Sequence, residues 1–198
     1  MSGGARARLF VAVDPPLAVR EQLTFWARTA AAATSAAAPP ALRLLEADLL
    51  HLTLCFLGSR PVAEITAIGS ALGDCATRVG ELGVGAPLWL PRARPRSLAV
   101  AIHDDAGELA LLHSAVTRAL SDASAWEPER RRLRAHITVA RTRGRADARR
   151  DQEPGSFALP ATPQLCFKPE SLTLYRSWLS EDGASYEALA KHDLPAWA

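Results

Sequence analysis

Leu50-His51-Leu52-Thr53-Leu54 and Ala135-His136-Ile137-Thr138-Val139 share one pattern: apolar, His, apolar, Thr, apolar. Imidazole titrates near neutral pH, so a histidine serves as general acid or general base. A threonine hydroxyl donates a hydrogen bond and can hold a developing oxyanion. Two histidines and two threonines brought together would make a paired acid–base site, one ring neutral and the other protonated, with hydroxyl donors beside both. His51 and His136 lie 85 positions apart, so only tertiary structure can assemble them.

Both stretches are aliphatic or β-branched and alternate with period two, which predicts strands. Residues two apart on a strand share a face. His51 therefore shares a face with Thr53, and His136 with Thr138, while the leucines, Ile137 and Val139 point the other way. The elements around them occur twice in the same order. In the first half a strand over Arg8–Val13 ends at Asp14-Pro15-Pro16, and a helix runs from Leu17 to about Ala33 with Val19, Leu23 and Trp26 on one face. A short strand at Leu42–Leu45 and a turn deliver the first His strand, which Gly58 is expected to end. Pro61 opens a second helix with Ile65, Ile68 and Leu72 aligned. Leu82–Leu90 is a strand, followed by the basic, proline-broken Pro91–Arg96. In the second half a strand at Leu98–Ile102, carboxylates at Asp104-Asp105, and a helix over Leu109–Leu120 precede the second His strand at Ala135–Ala140. Arg141–Pro154 is polar and predicted to be an exposed loop. Gln164–Phe167, Ser171–Ser177 and Tyr186–Leu189 are further strands, the last two joined by a hairpin at Gly183. The predicted fold is α+β: two pseudo-symmetric lobes, each a mainly antiparallel sheet with outer helices, around a central cleft. It fills one bilobal domain over 1–198, with 1–7 a disordered tail.

At 198 residues the chain is long enough for a well-packed core. With 48% hydrophobic and 22% charged residues and a net charge of +2, composition excludes neither nucleic acid nor a neutral partner. Nearly all basic residues are arginine, only Lys168 and Lys191 being lysine. Cys55, Cys75 and Cys166 are odd in number and scattered, which argues against a disulfide framework or zinc ribbon and makes a reducing cytoplasm the default location. The first residues lack an apolar signal core, and no apolar run approaches the ~20 residues that cross a membrane.

The same residues resemble the two-histidine (2H) phosphoesterase superfamily, whose mark is a pair of His-x-Thr-x motifs, and within it the RNA 2′,3′-cyclic phosphodiesterases, also called 2′-5′ RNA ligases. The resemblance rests on Arg8–Asp14 (RLFVAVD), His51–Gly58 (HLTLCFLG), His136–Arg141 (HITVAR) and Leu174–Ser177 (LYRS), in the family's order. It implies hydrolysis of RNA 2′,3′-cyclic phosphodiester ends to a 2′-phosphomonoester without metal or other cofactor. His51 and His136 would be the catalytic pair, His51 donating to the leaving oxygen and His136 accepting from water. Thr53, Thr138 and Arg141 would bind phosphate, and Phe56 would line the base pocket. The implied partner is RNA or an oligonucleotide ending in a cyclic phosphate, with no membrane and a monomeric chain. Leu44 stands where the family often has Trp, Cys55 where it often has a basic residue, and Ser59-Arg60 where an acidic residue commonly follows Phe-Leu-Gly.

The residues alone leave several matters open. Phe56 and Arg141 each stand five after a histidine, and strict alternation puts both on the wrong face unless the strand ends or bulges first. Cys55, four after His51, falls on the histidine's face as a small filler near the cleft. His103, His113 and His192 have no partner pattern and are expected as surface or capping residues. Arg130–Arg132 with Arg134 is a solvated loop or a contact to RNA phosphates. Ligation of 2′-5′ RNA ends, hydrolysis of another cyclic nucleotide, a non-catalytic RNA-binding protein and a histidine metalloenzyme are the alternatives. The last finds no carboxylate or third histidine at ligand spacing from either motif.

Overall fold

The computed structural model describes residues 5–35, 42–91, 95–129, 131–142, 159–180 and 183–195. Residues 1–4 of the expected tail, the Ala36–Pro40 tract, Arg92 and Arg94, Arg130, and 143–154 of the polar loop lie outside the described residues.

Among the described residues nine strands form one sheet: β1 (Arg6–Asp14), β2 (Leu42–Leu44), β3 (Leu52–Pro61), β4 (Leu82–Leu90), β5 (Ser97–His103), β6 (His136–Thr142), β7 (Cys166–Phe167), β8 (Ser171–Ser180) and β9 (Gly183–Asp193). Among the described residues three α-helices accompany them: α1 (Leu17–Ser35), α2 (Ile65–Cys75) and α3 (Glu108–Ala123). The strand order is β7-β4-β5-β6-β3-β1-β8-β9, with β2 also on β6, and every pairing is antiparallel. The class is therefore the α+β, antiparallel architecture expected. Its two halves, β3-β1-β8-β9 and β2/β6-β5-β4-β7, pair among the described residues through Leu52–Ile137.

These halves are not the two halves of the chain. β8 and β9 return from the C-terminus to lie beside β1. The helices are exchanged as well: α3 contacts α2 and β3, while α1 contacts β2, β6 and the 3-10 turn Ala47–Leu49. Local patterning defines each helix but not the strand it covers, which is why the sequence order suggested otherwise.

Element boundaries follow local chemistry. The Pro16 carbonyl accepts from the amides of Val19 and Arg20 and starts α1. The Asp104 carboxylate accepts the Ala110 amide at 2.9 Å near the start of α3, as capping carboxylates do. β1 alternates exposed Arg6 and Arg8 with buried Ala7 and Leu9, then buries both faces from Phe10 to Val13. Arg6 and Ala7 are thus strand, not tail, because Ala7 and Leu9 belong to the core. Gly58 does not end β3: it takes φ +68°, a left-handed value suited to a bulge, and pairing continues to Pro61. Arg141 and Thr142 prolong β6 instead of opening the loop, because β2 pairs with both, β5 pairs with Arg141, and the Thr142 amide donates to the Arg96 carbonyl.

Candidate active site

The site is built where the half-sheets join. Leu52 and Ile137, both fully buried, face each other across antiparallel β3 and β6. Carrying that register one residue either way sets His51 toward Thr138 and Thr53 toward His136. Directly opposed residues of an antiparallel pair share a face, so one bridge turns all four side chains to the same side. All four are partly exposed, and neither threonine side chain has a hydrogen-bond partner among the described residues.

Both rings are anchored alike. His51 Nδ1 lies 2.8 Å from the Leu49 carbonyl, and His136 Nδ1 lies 2.6 Å from that of Arg134. A carbonyl only accepts, so in each ring Nδ1–H is the donor and Nε2 is left for chemistry.

The two strands then do the same thing three residues after each histidine. In β3, Ala12 pairs with Thr53 and Val11 with Cys55, leaving Leu54 as an extra residue. In β6, Ala99 pairs with Thr138 and Leu98 with Ala140, leaving Val139 extra. Each β-bulge reverses the alternation. Phe56 and Arg141 consequently swing onto the histidine face, both exposed, which strict period two forbade. Cys55 moves the other way. It is buried with Sγ 3.8 Å from Thr117 Oγ1 of α3, and burial raises its thiol to about 11. It does not border the histidines as expected, since the bulge lies between it and His51.

An aromatic enclosure around His51 was missed by sequence reasoning. The ring centroid of Phe10 is 4.8 Å from that of His51, Tyr186 meets it edge-on at 5.1 Å, and Tyr175 stands at 5.9 Å. Phe10 stacks on Tyr175 at 5.1 Å and reaches Phe56 at 6.3 Å. Beneath this cluster lies Asp14, a buried carboxylate that accepts from Ser171 (2.7 Å), Thr173 (2.7 Å) and Tyr175 (2.8 Å). Three charge-assisted bonds compensate its burial. The available signal was the hydroxyl alternation Ser171, Thr173, Tyr175, Ser177 on one strand face.

The enclosure makes the two histidines unequal. Burial pushes His51 down to about 4, with the Arg141 and His136 charges acting in the same sense; the Leu49 carbonyl and Asp14 oppose it less strongly. His51 is therefore neutral in the free chain at pH 7. The influence of Arg141 and His136 on it also brings both into its electrostatic neighbourhood.

The remaining candidates are dispersed. His192 Nε2–H donates to the Gly69 carbonyl at 2.8 Å, tying β9 to α2; His103 is exposed and His113 half-buried on α3. Arg131, Arg132 and Arg134 are exposed. No group of three or more His, Cys, Asp or Glu side chains suited to a metal occurs among the described residues. No helix among them is long and apolar enough to cross a membrane. A groove of about 580 Å³ between α1 and residues 160–163, lined by Phe25 and Trp26, contains none of the site residues.

No protein-family profile and no curated protein sequence matches the chain. Solved structures do. E. coli LigT complexed with 3′-AMP superposes with a TM-score of 0.74 at 23% identity, over 97% of this chain and 100% of that one. The Thermus thermophilus protein TT0787 matches with a TM-score of 0.70 at 26% identity, over 94% and 97%. Kluyveromyces marxianus Usb1 matches with a TM-score of 0.55 at 14% identity, over 93% and 97%. The chain thus shares one fold with these proteins over nearly its whole length.

The enclosure carries an expected outcome. NMR titration of the free protein places the His51 imidazole near pH 4, and replacing Tyr186 with Ala moves it up toward 6.5 as water reaches the ring. Because the folded value lies below the unfolded one, His51 supports stability fully above about pH 6.5. That contribution is lost as pH falls toward 4. A His51 titration near 6.5 in the intact protein would contradict the desolvating role of the enclosure.

Proposed function

We propose that this chain is a phosphoesterase of the two-histidine superfamily, a single bilobal domain that opens RNA 2′,3′-cyclic phosphodiester ends to 2′-phosphomonoesters. The observation that carries the reading is the matched geometry of His51 and His136. Each sits beside the Leu52–Ile137 bridge, each is oriented by its own Nδ1–H to a carbonyl two residues before it, and each has a threonine two residues on. The shared fold with LigT, which has been crystallised with 3′-AMP, supports a nucleotide as ligand.

In this mechanism the cyclic phosphate lies between the two Nε2 atoms. His136 takes a proton from water as its oxygen attacks phosphorus. The bond from phosphorus to the 3′ oxygen breaks, and His51 protonates that oxygen, leaving a 2′-phosphate and a free 3′ hydroxyl. Thr53, Thr138 and Arg141 hold the non-bridging oxygens, and Phe56 offers its exposed ring to the terminal base. Donors preset toward developing charge are among the strongest contributors to catalysis. His51 is neutral before substrate arrives, so it takes up a proton from solvent as the substrate binds: a phosphate anion beside Nε2, inside an apolar enclosure, couples strongly to a charged imidazole. The neutral ring of the free chain favours one second reading, in which His51 is the acceptor and His136 the donor.

On this reading the protein acts without a metal, hydrolytically, on RNA ends in the cytoplasm and as a monomer. Incubating the protein in EDTA with RNA ending in a 2′,3′-cyclic phosphate is expected to yield 2′-phosphate ends. Complete loss on chelation with rescue by a divalent ion would overturn the imidazole mechanism, and joined 2′-5′ products would identify the ligase direction.

The two roles separate on a substrate whose leaving group needs no proton. On a nitrophenyl phosphodiester, His51→Ala is expected to lose far less activity than on the cyclic phosphate, whereas His136→Ala loses on both. The reverse pattern would exchange the roles.

A further inference from the structure

The face that carries His51 continues along β1 in rows. Ala12 stands opposite Thr53 and Thr173, Phe10 opposite Phe56 and Tyr175, and Arg8 opposite Ser59 and Ser177. Ser177 in turn pairs with Tyr186 of β9. Opposed residues share a face, so a catalytic row, an aromatic row and a row of one cation and two hydroxyls succeed each other on one face of the sheet, buried at Ala12, Phe10 and Thr173 and exposed at Phe56, Ser59 and Arg8. The extra residues at the bulges belong to β3, so β1 itself is regular. Arg8 therefore lies two residues, about 7 Å, along the strand from Phe10, whose ring underlies His51 at 4.8 Å.

Three observations mark these rows as a binding surface. Phe56 keeps 56% of its surface exposed, although an aromatic ring of that size is normally buried in a sheet. Arg8 is exposed and has no hydrogen bond or ion pair from its side chain among the described residues. Ser59 and Ser177 flank it with hydroxyls, Ser59 Oγ accepting from Arg6 Nε at 3.0 Å and Ser177 Oγ donating to the Arg8 carbonyl at 3.5 Å. An aromatic platform beside a cation is how proteins hold single strands: the base stacks and the phosphate is neutralised.

Building on the proposed phosphodiesterase reading, we infer that Arg8, with Ser59 and Ser177, binds the phosphate that joins the terminal nucleotide to the one before it. The protein is thereby matched to single-stranded RNA ends instead of to cyclic mononucleotides. The terminal base rests on Phe56, its cyclic phosphate meets the histidines, and the chain leaves along β1 past Arg8 toward Arg6.

The test compares wild type, Arg8→Ala and Arg8→Lys on two substrates, a nucleoside 2′,3′-cyclic phosphate and a trinucleotide ending in one. It is accompanied by anisotropy measurements of binding to a labelled trinucleotide 3′-phosphate at several salt concentrations. Wild type is expected to favour the trinucleotide several-fold in kcat/KM, Arg8→Ala to lose most of that advantage, and Arg8→Lys to retain part of it. The slope of log affinity against log salt should shrink by about 0.7 in Arg8→Ala, the value for one phosphate contact on a single strand. An unchanged length preference and salt slope in Arg8→Ala, or no length preference in wild type, would overturn the assignment while leaving the phosphodiesterase reading intact. If wild type cleaves neither substrate, the phosphodiesterase reading fails, and an unaltered salt slope in Arg8→Ala overturns the phosphate contact independently.

Discussion

One residue pair holds the arrangement together. Leu52 and Ile137 are buried neighbours across β3 and β6, the one residue pair that joins the two half-sheets in register among the described residues. An antiparallel pair of apolar residues turns the residues flanking it to the opposite face. Since each flank is a His and a Thr, core packing at the seam and the convergence of four polar side chains are the same event. A one-residue slip in this register would bury the histidines and expose the leucine and isoleucine, so the hydrophobic effect enforces the site's geometry. The bulges at Leu54 and Val139 extend this design, presenting an aromatic ring in one half and a guanidinium in the other at equivalent positions.

The pseudo-symmetry is of backbone, not of environment. His51 lies among Phe10, Tyr175 and Tyr186, above a carboxylate bound by three hydroxyls. His136 is partly exposed, with its carbonyl partner on exposed Arg134. Desolvation inside this aromatic enclosure is the largest influence on His51 and lowers it. Burial also raises the Tyr175 phenol well above its ordinary range, with Asp14 acting in the same sense, so this hydroxyl stays protonated and keeps donating to Asp14. The electrostatics of His51 thus rest on contacts from β1, β8 and β9.

Local patterns revealed those parts of the molecule that depend on local rules. Period-two alternation exposed both His-x-Thr strands, and helical spacing located α1 and α3 close to their observed limits, while α2 begins at Ile65, after a 3-10 turn, instead of at Pro61. The need for a bulge before Phe56 and Arg141 could be stated, because parity alone contradicts their use. What stayed hidden was long-range. Tyr175 and Tyr186 reach His51 across more than a hundred positions, and Asp14 meets Ser171 across 157. Cys55 was placed on the wrong face because a bulge one residue earlier leaves no trace in composition. The exchange of α1 and α3 between half-sheets was likewise invisible, since an amphipathic helix advertises its apolar face but not its partner.

The central claim is that His51 and His136 act as one unit on a single phosphate. A double-mutant cycle tests it directly, using His51→Ala, His136→Ala and the double variant on RNA ending in a 2′,3′-cyclic phosphate, with folding checked by circular dichroism. Groups acting together are grossly non-additive, so each single change should remove most of the activity and the double should be little slower than the slower single. Rate losses that multiply in the double variant, or a single variant that keeps the wild-type rate, would contradict a shared site.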